Sequence, residues 1–151
     1  MTTTPTDVEL IEVLAHLPVE RDTAEHYRGY LRRELVMNRC ASCGRYHAPM
    51  RPMCPSCWSW DVVPTAVSGR GTIHLAMLMR QGPPADGVDY DAGPHPVVTV
   101  ELVEQEGLRF TGTVVGCDPA DVRIGAEVEL EWIDRSGAPF PAFRLVDGGS
   151  R

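Results

Sequence analysis

Hydrophobic positions in the first part of the chain recur at three- and four-residue steps, whereas beyond Trp60 they alternate with polar ones between Gly, Pro and Asp clusters. The first pattern is that of amphipathic helices and the second that of a small antiparallel β module. Thr6-Asp7-Val8-Glu9 has the spacing of a capping box; Leu10, Val13 and Leu14 follow at helical intervals, and Pro18 ends the run. Asp22-Thr23-Ala24-Glu25 repeats the start signal. Tyr27, Tyr30, Leu31 and Leu35 then continue at helical steps, which predicts a second helix from Thr23 to about Glu34 with an aromatic stripe. That stripe either packs on the segment that follows it or faces a partner.

Beyond Trp60, five segments read as strands: Gly71 to Met79, Val97 to Val103, Leu108 to Val115, Glu127 to Ile133 and Ala142 to Val146. Five is the strand count of an OB barrel. The clearest alternation is Glu127-Val128-Glu129-Leu130-Glu131-Trp132, with Val128, Leu130 and Trp132 on one face and the glutamates on the other. Phe110 and Trp132 are expected to face the core. Gly69 and Gly71 flank Arg70 where the first of these strands begins, as glycines do at the bends of small barrels. Residues 81–96, rich in Pro, Gly and acids, read as a long loop, and Asp118 to Gly125 as one helical turn before a glycine stop. The expected fold is mainly β with N-terminal helices. It divides into a helical segment (1–35), a segment (36–60) whose cysteine pairs Cys40/Cys43 and Cys54/Cys57 mark a rubredoxin-like zinc ribbon, a five-stranded OB-fold barrel (61–147) and a flexible tail (148–151).

Composition narrows the partners. Hydrophobic residues make up 43% and charged residues 23% of the 151, and no apolar run reaches membrane-spanning length or has signal-peptide form. The expected location is the cytoplasm. The formal charge is -7, and all 14 basic side chains are arginines, which is poor footing for a nucleic-acid binder.

The chemistry lies in Cys40-Ala41-Ser42-Cys43 and Cys54-Pro55-Ser56-Cys57, separated by ten residues. Each turn can aim two thiolates at one ion, so Cys40, Cys43, Cys54 and Cys57 form the soft donor set of a closed tetrahedral site, with Zn²⁺ in a structural role. Iron is the competing metal, and two disulfides are the competing covalent reading. Cys117 stands apart and reads as a small buried hydrophobe.

The order of these pieces resembles the zinc-ribbon plus OB-fold family of acyl-CoA-associated proteins, formerly a domain of unknown function. The resemblance rests on Cys40 to Arg45, Pro49 to Cys57, Ser68-Gly69-Arg70-Gly71-Thr72-Ile73 and Asp118 to Gly125, and covers most of the chain from about Thr23 to Val146. It implies a non-catalytic accessory subunit of a thiolase-fold or lipid-transfer-protein-like enzyme, in some members beside a MaoC-like hydratase. Such a subunit would help form an acyl-CoA site for thiolysis, retro-aldol cleavage or condensation, including steroid or fatty acyl-CoA breakdown. Two positions depart from the family pattern: Gly93-Pro94-His95-Pro96-Val97 replaces an aromatic-rich stretch, and Trp58 follows the last knuckle cysteine where a small residue is usual.

No Ser/His/Asp arrangement, phosphate loop or open metal site is visible, so no catalytic residue is assigned and activity of the chain alone is not expected. Arg51 and Trp58 are the candidate partner- or CoA-facing residues, because Arg and Trp favour the centres of interfaces; Arg39 and Arg45 could join Arg51 at CoA phosphates. Two other readings compete. One is single-stranded nucleic-acid binding by the barrel, although its aromatics, Tyr90, Phe110, Trp132, Phe140 and Phe143, sit in an acidic segment. The other is general-base chemistry at His74 or His95.

Overall fold

The computed structural model describes residues 4–82 and 87–146. These fall into two compact units, one running to Val67 and including Gly137–Pro139, the other formed by Ser68–Ser136 and the chain from Phe140 onward. The predicted flexible tail and part of the predicted 81–96 loop lie outside the described residues.

The first unit opens with α1 (Asp7–Leu14). Its N-terminus is the expected capping box, with Thr6 Oγ1 accepting from the Glu9 amide and the Glu9 carboxylate accepting from the Thr6 amide. Leu10 and Leu14 are buried, while Val8 and Ile11 lie on the exposed side. α2 (Ala24–Arg32) packs on α1 and carries Arg28, which donates to the Pro5 carbonyl and pairs with Asp7 and Glu25.

The second helix differs from expectation at both ends. Thr23 makes no side-chain cap; its hydroxyl instead accepts from the Glu20 amide and closes the preceding turn. The helix stops at Arg33, which is left-handed (φ 58°) and sends its amide to the Tyr30 carbonyl, while Glu34 bonds to Gly29. Leu35, in phase with the helical stripe, therefore opens a strand. That strand, β1 (Leu35–Cys40), lies between β2 (Tyr46–His47) and β3 (Val62–Val67), both antiparallel to it, with Leu35 opposite Val67 and Cys40 opposite Val62. β1 is not legible from alternation, because it is buried on both faces at Leu35, Val36, Met37 and Asn38.

The aromatic stripe packs inward at Tyr30, while Tyr27 and Leu31 are half-buried. Tyr30 is buried, and buried His26 donates from Nδ1 to the Val36 carbonyl (2.7 Å) while its Nε2 accepts from the Tyr30 hydroxyl (3.2 Å), locking α2 to β1. Burial holds the His26 pKa below its ordinary value against the pull of the Val36 carbonyl. Burial and the Arg135 charge lower His95 likewise. Protonation thus favours the unfolded chain: the stabilisation is complete above about pH 6.5 and declines as pH falls through the lowered folded values. Thermal melts from about pH 8 to about pH 5 should show this loss, and His26→Gln, whose amide can still donate to Val36, should reduce it. A melting temperature that ignores pH over that range would contradict the assignment.

The second unit is a nearly closed five-stranded barrel, as expected from the sequence. Its strands are β4 (Gly71–Met79), β5 (His95–Leu102), β6 (Arg109–Gly112), β7 (Glu127–Arg135) and β8 (Ala138–Leu145), in the order β6-β5-β4-β7-β8. β5 shows the period of two most clearly, with Pro96, Val98, Val100 and Leu102 buried and the residues between them half-buried. β6 is shorter than expected. The chain leaves the ladder after Gly112, and Val114 instead makes a parallel bridge to Phe143, which draws the two ends of the sheet together. Phe143 is fully buried; Phe110, against it at 6.2 Å between ring centres, and Trp132 are half-buried. The predicted helical turn is a 3-10 turn, Pro119–Asp121, capped by Asp118.

Candidate metal centre

Two hairpin turns build the site. At the end of β1 the Cys40 amide donates to Arg45 and its carbonyl accepts from Gly44, so Cys40 and Cys43 open toward the same side. In the second turn the Cys54 amide donates to Ser59 and its carbonyl accepts from Trp58. Gly44 and Trp58 occupy equivalent places, four residues after the leading cysteine, and both have positive φ, 76° and 65°. Glycine adopts that conformation freely; for tryptophan it costs about 1–2 kcal/mol. Ser42 and Ser59 hydroxyls bridge the turns at 2.8 Å, and the Ala41 amide donates to Asp61.

The four sulfurs lie within 4.8 Å of one another. Cys40 and Cys57 sulfurs are 3.6 Å apart and Cys43 and Cys54 sulfurs 3.7 Å apart. A tetrahedron with Zn–S bonds of about 2.3 Å has edges of about 3.8 Å, so these separations suit one zinc ion. They are too long for the disulfide reading, and all five cysteines are free.

The electrostatics ask for a cation. Backbone N–H groups of Cys43 and Ser42 help hold the Cys40 thiol down to about 6, against desolvation. The Cys57 and Ser56 amides lower Cys54, the latter at 3.4 Å from its sulfur. Cys57 is pulled down by the Ser59 amide, yet the surrounding thiols and desolvation push it up to about 12. Thiolates gather here only if something positive sits among them, and the donor set is that of zinc ribbons. A zinc ion held by all four cysteines would have no open position for a substrate.

The other candidate residues scatter. Trp58 is 72% exposed. Arg51 is exposed too, and its carbonyl accepts from Asn38 Nδ2. Arg39 is occupied at its own turn, donating to Gly44 and lying over the Tyr46 ring. His74 is exposed and His95 half-buried, and neither is hydrogen-bonded to a carboxylate among the described residues. Cys117 is half-buried rather than buried; desolvation and the charges of Asp121 and Asp118 raise its pKa, which makes it a poor nucleophile. Of the aromatics named in the barrel, Phe143 is buried and Tyr90, Phe110, Trp132 and Phe140 are half-buried, so none stands out as a stacking platform.

Two features are not legible in the sequence pattern. Trp60, 70% exposed, lies two residues from Trp58, and its spacing from the knuckle is the one local signal for it. His47 on β2 is buried with neither ring nitrogen hydrogen-bonded among the described residues, and no local pattern marks it.

Residues 29–63 match the family described as "ChsH2, rubredoxin-like zinc ribbon domain", and residues 64–132 match "ChsH2, C-terminal OB-fold domain". A DUF35 domain-containing scaffold protein of Methanothermobacter thermautotrophicus is 36% identical over 100 residues, 66% of this chain and 71% of that one. A probable enoyl-CoA hydratase alpha subunit of Thermomonospora curvata is 32% identical over 127 residues; the match takes in 83% of this chain but only 38% of the longer relative. Among solved structures, the Ltp2-ChsH2(DUF35) aldolase superposes with a TM-score of 0.75 at 31% identity, covering 85% of this chain and 98% of the matched one. The knuckle geometry, the barrel and these likenesses agree, and the chain belongs to the DUF35 family in its ChsH2-type form, a zinc ribbon followed by an OB fold.

Proposed function

We propose that this chain is an accessory subunit of an acyl-CoA enzyme complex. It docks on a thiolase-fold or lipid-transfer-protein-like enzyme, in some settings beside a MaoC-like hydratase. There it helps form or stabilise an acyl-CoA site for carbon–carbon bond cleavage or formation, with retro-aldol cleavage or thiolysis of steroid or fatty acyl-CoA as the reaction class. The observation that carries this reading is the likeness to the DUF35 component of an aldolase over nearly all of that component. The complex belongs in the cytoplasm, and no described helix is long and apolar enough to cross a membrane. Zinc on Cys40, Cys43, Cys54 and Cys57 has a structural role here, holding the turn that presents Trp58, with Arg51 just before it.

Trp58 supports the docking role through its strain. A large apolar side chain held left-handed and turned to solvent gains nothing visible in the free chain, and such outliers gather at functional surfaces. Trp58→Gly should therefore leave the ribbon as stable or more stable, by about 1 kcal/mol, while weakening enzyme binding at least about tenfold. A destabilised ribbon with unchanged binding would return Trp58 to local packing. The broader test is native purification from the host with mass spectrometry and absorbance at 260 nm. A stoichiometric thiolase-fold or hydratase partner is expected, whereas nucleic acid in its place would overturn the reading.

A further inference from the structure

β4 is paired unevenly. Against β5 it forms a ladder from Gly71, opposite Leu102, to Met79, opposite His95, interrupted by a bulge between Ile73 and Leu75. Against β7 it is paired only at Gly71 and Thr72, and the last bonds on that side join Ile73 to Ala126 and Gly125. From His74 to Met79 no described residue hydrogen-bonds this second edge. The edge is also apolar and open: Leu75, Met77 and Leu78 are 47%, 49% and 41% exposed. Natural proteins guard such edges with charges, proline or a covering element, and the run Leu75-Ala76-Met77-Leu78-Met79 contains no charge and no proline.

The geometry points to a strand-addition site: we infer that the His74–Met79 edge accepts an extended segment of the partner enzyme, apolar at its centre and acidic at the end that meets Arg80. An open row of backbone donors and acceptors is satisfied by another extended backbone, with side-chain specificity at alternate positions. The centre must be apolar to cover Leu75 and Met77 on one face and Leu78 on the other. The end that meets Arg80 is acidic, because Arg80 is exposed and without a partner among the described residues, and no acid lies between Gly71 and Gln81. A second copy of this strand offers Arg80 no acidic partner, since no acid lies between Gly71 and Gln81.

This inference rests on the accessory reading, and the test separates the two. Amide hydrogen exchange is compared between the free chain and the complex purified natively from the host. In the complex the outward amides of residues 74–79 should slow at least about tenfold, because they gain hydrogen bonds that the free edge lacks. Met77→Lys, at an exposed position, should leave the barrel folded and weaken the complex at least about tenfold. An enzyme that co-purifies without protecting residues 74–79, and that binds Met77→Lys as it binds the natural chain, would overturn the edge and leave the accessory role standing. Failure of any acyl-CoA enzyme to co-purify would overturn both. A free chain that dimerises with this edge protected would overturn the enzyme as occupant and assign the edge to a second copy instead.

Discussion

Replacing Cys54 by serine is expected to remove the metal and unfold the ribbon while the barrel keeps its β structure. Cys54 is fully buried, its sulfur accepts from the Ser56 amide, and its backbone holds the second turn through Ser59 and Trp58. Loss of one thiolate from a four-thiolate site forfeits most of a binding free energy of about 10–16 kcal/mol, which for small ribbons is folding free energy. That exceeds what the short sheet β2-β1-β3 can supply from its own burial. Zinc content should fall from about one per chain to none, and the β1 and β3 amides should lose their exchange protection. Enzyme binding should disappear with them, because Trp58 lies in the second turn and Arg51 three residues before it. Chelation of the natural chain should reproduce each effect. Ribbon amides that stay protected without metal would show that the ion is not structural, and binding that survives chelation would exclude the ribbon as the docking element.

Gly71→Ala is expected to break the barrel and spare the ribbon. A Cβ at Gly71 would lie 2.3 Å from the Glu101 carbonyl oxygen and 2.6 Å from Val100 Cγ1. Since the first obstacle is backbone in the adjacent ladder, the clash is relieved only by displacing β4 from β5 at the point where β4 also meets β7. Overpacking that moves backbone costs at least about 3 kcal/mol, a large part of the 5–15 kcal/mol typical of a domain. The barrel's melting temperature should drop by at least about 12 °C, or the barrel should fail to form, with the ribbon's zinc retained. Gly69→Ala adds a second case, with φ at 74° and a Cβ position 2.3 Å from Leu130 Cβ. An unchanged melting temperature for Gly71→Ala would mean that the two strands do not approach this closely.

The two glycines show how far local reading reaches. Flanking Arg70 at the start of a strand, they suggest a bend, but the bulge lies farther on, between Ile73 and Leu75, and what the structure adds is the close approach of β5. The Thr6 capping box and the alternation through Glu127 to Trp132 are legible because a cap and a pleat are written in residues three or two apart. Leu35 shows the opposite case. It satisfies the helical step from Leu31, yet Arg33 ends the helix and Leu35 pairs with Val67, thirty-two positions away, so tertiary pairing overrides local period.

The sequence by itself determined the paired-cysteine pattern, the helical start, the number of barrel strands and the family resemblance. Each of these rests on spacing within a few residues or on a linear order of motifs, and such information survives without any folded contact. Only the tertiary structure decided that Tyr30 is core while Tyr27 is half-buried, that β1 is enclosed by β2 and β3, that Val114 closes the barrel on Phe143, and that β4 keeps an open edge. It also decided that Trp58 is held left-handed and exposed at the place where the first turn has Gly44. These outcomes depend on which distant backbone groups meet and which side chains lose water when they do, and no local pattern specifies either.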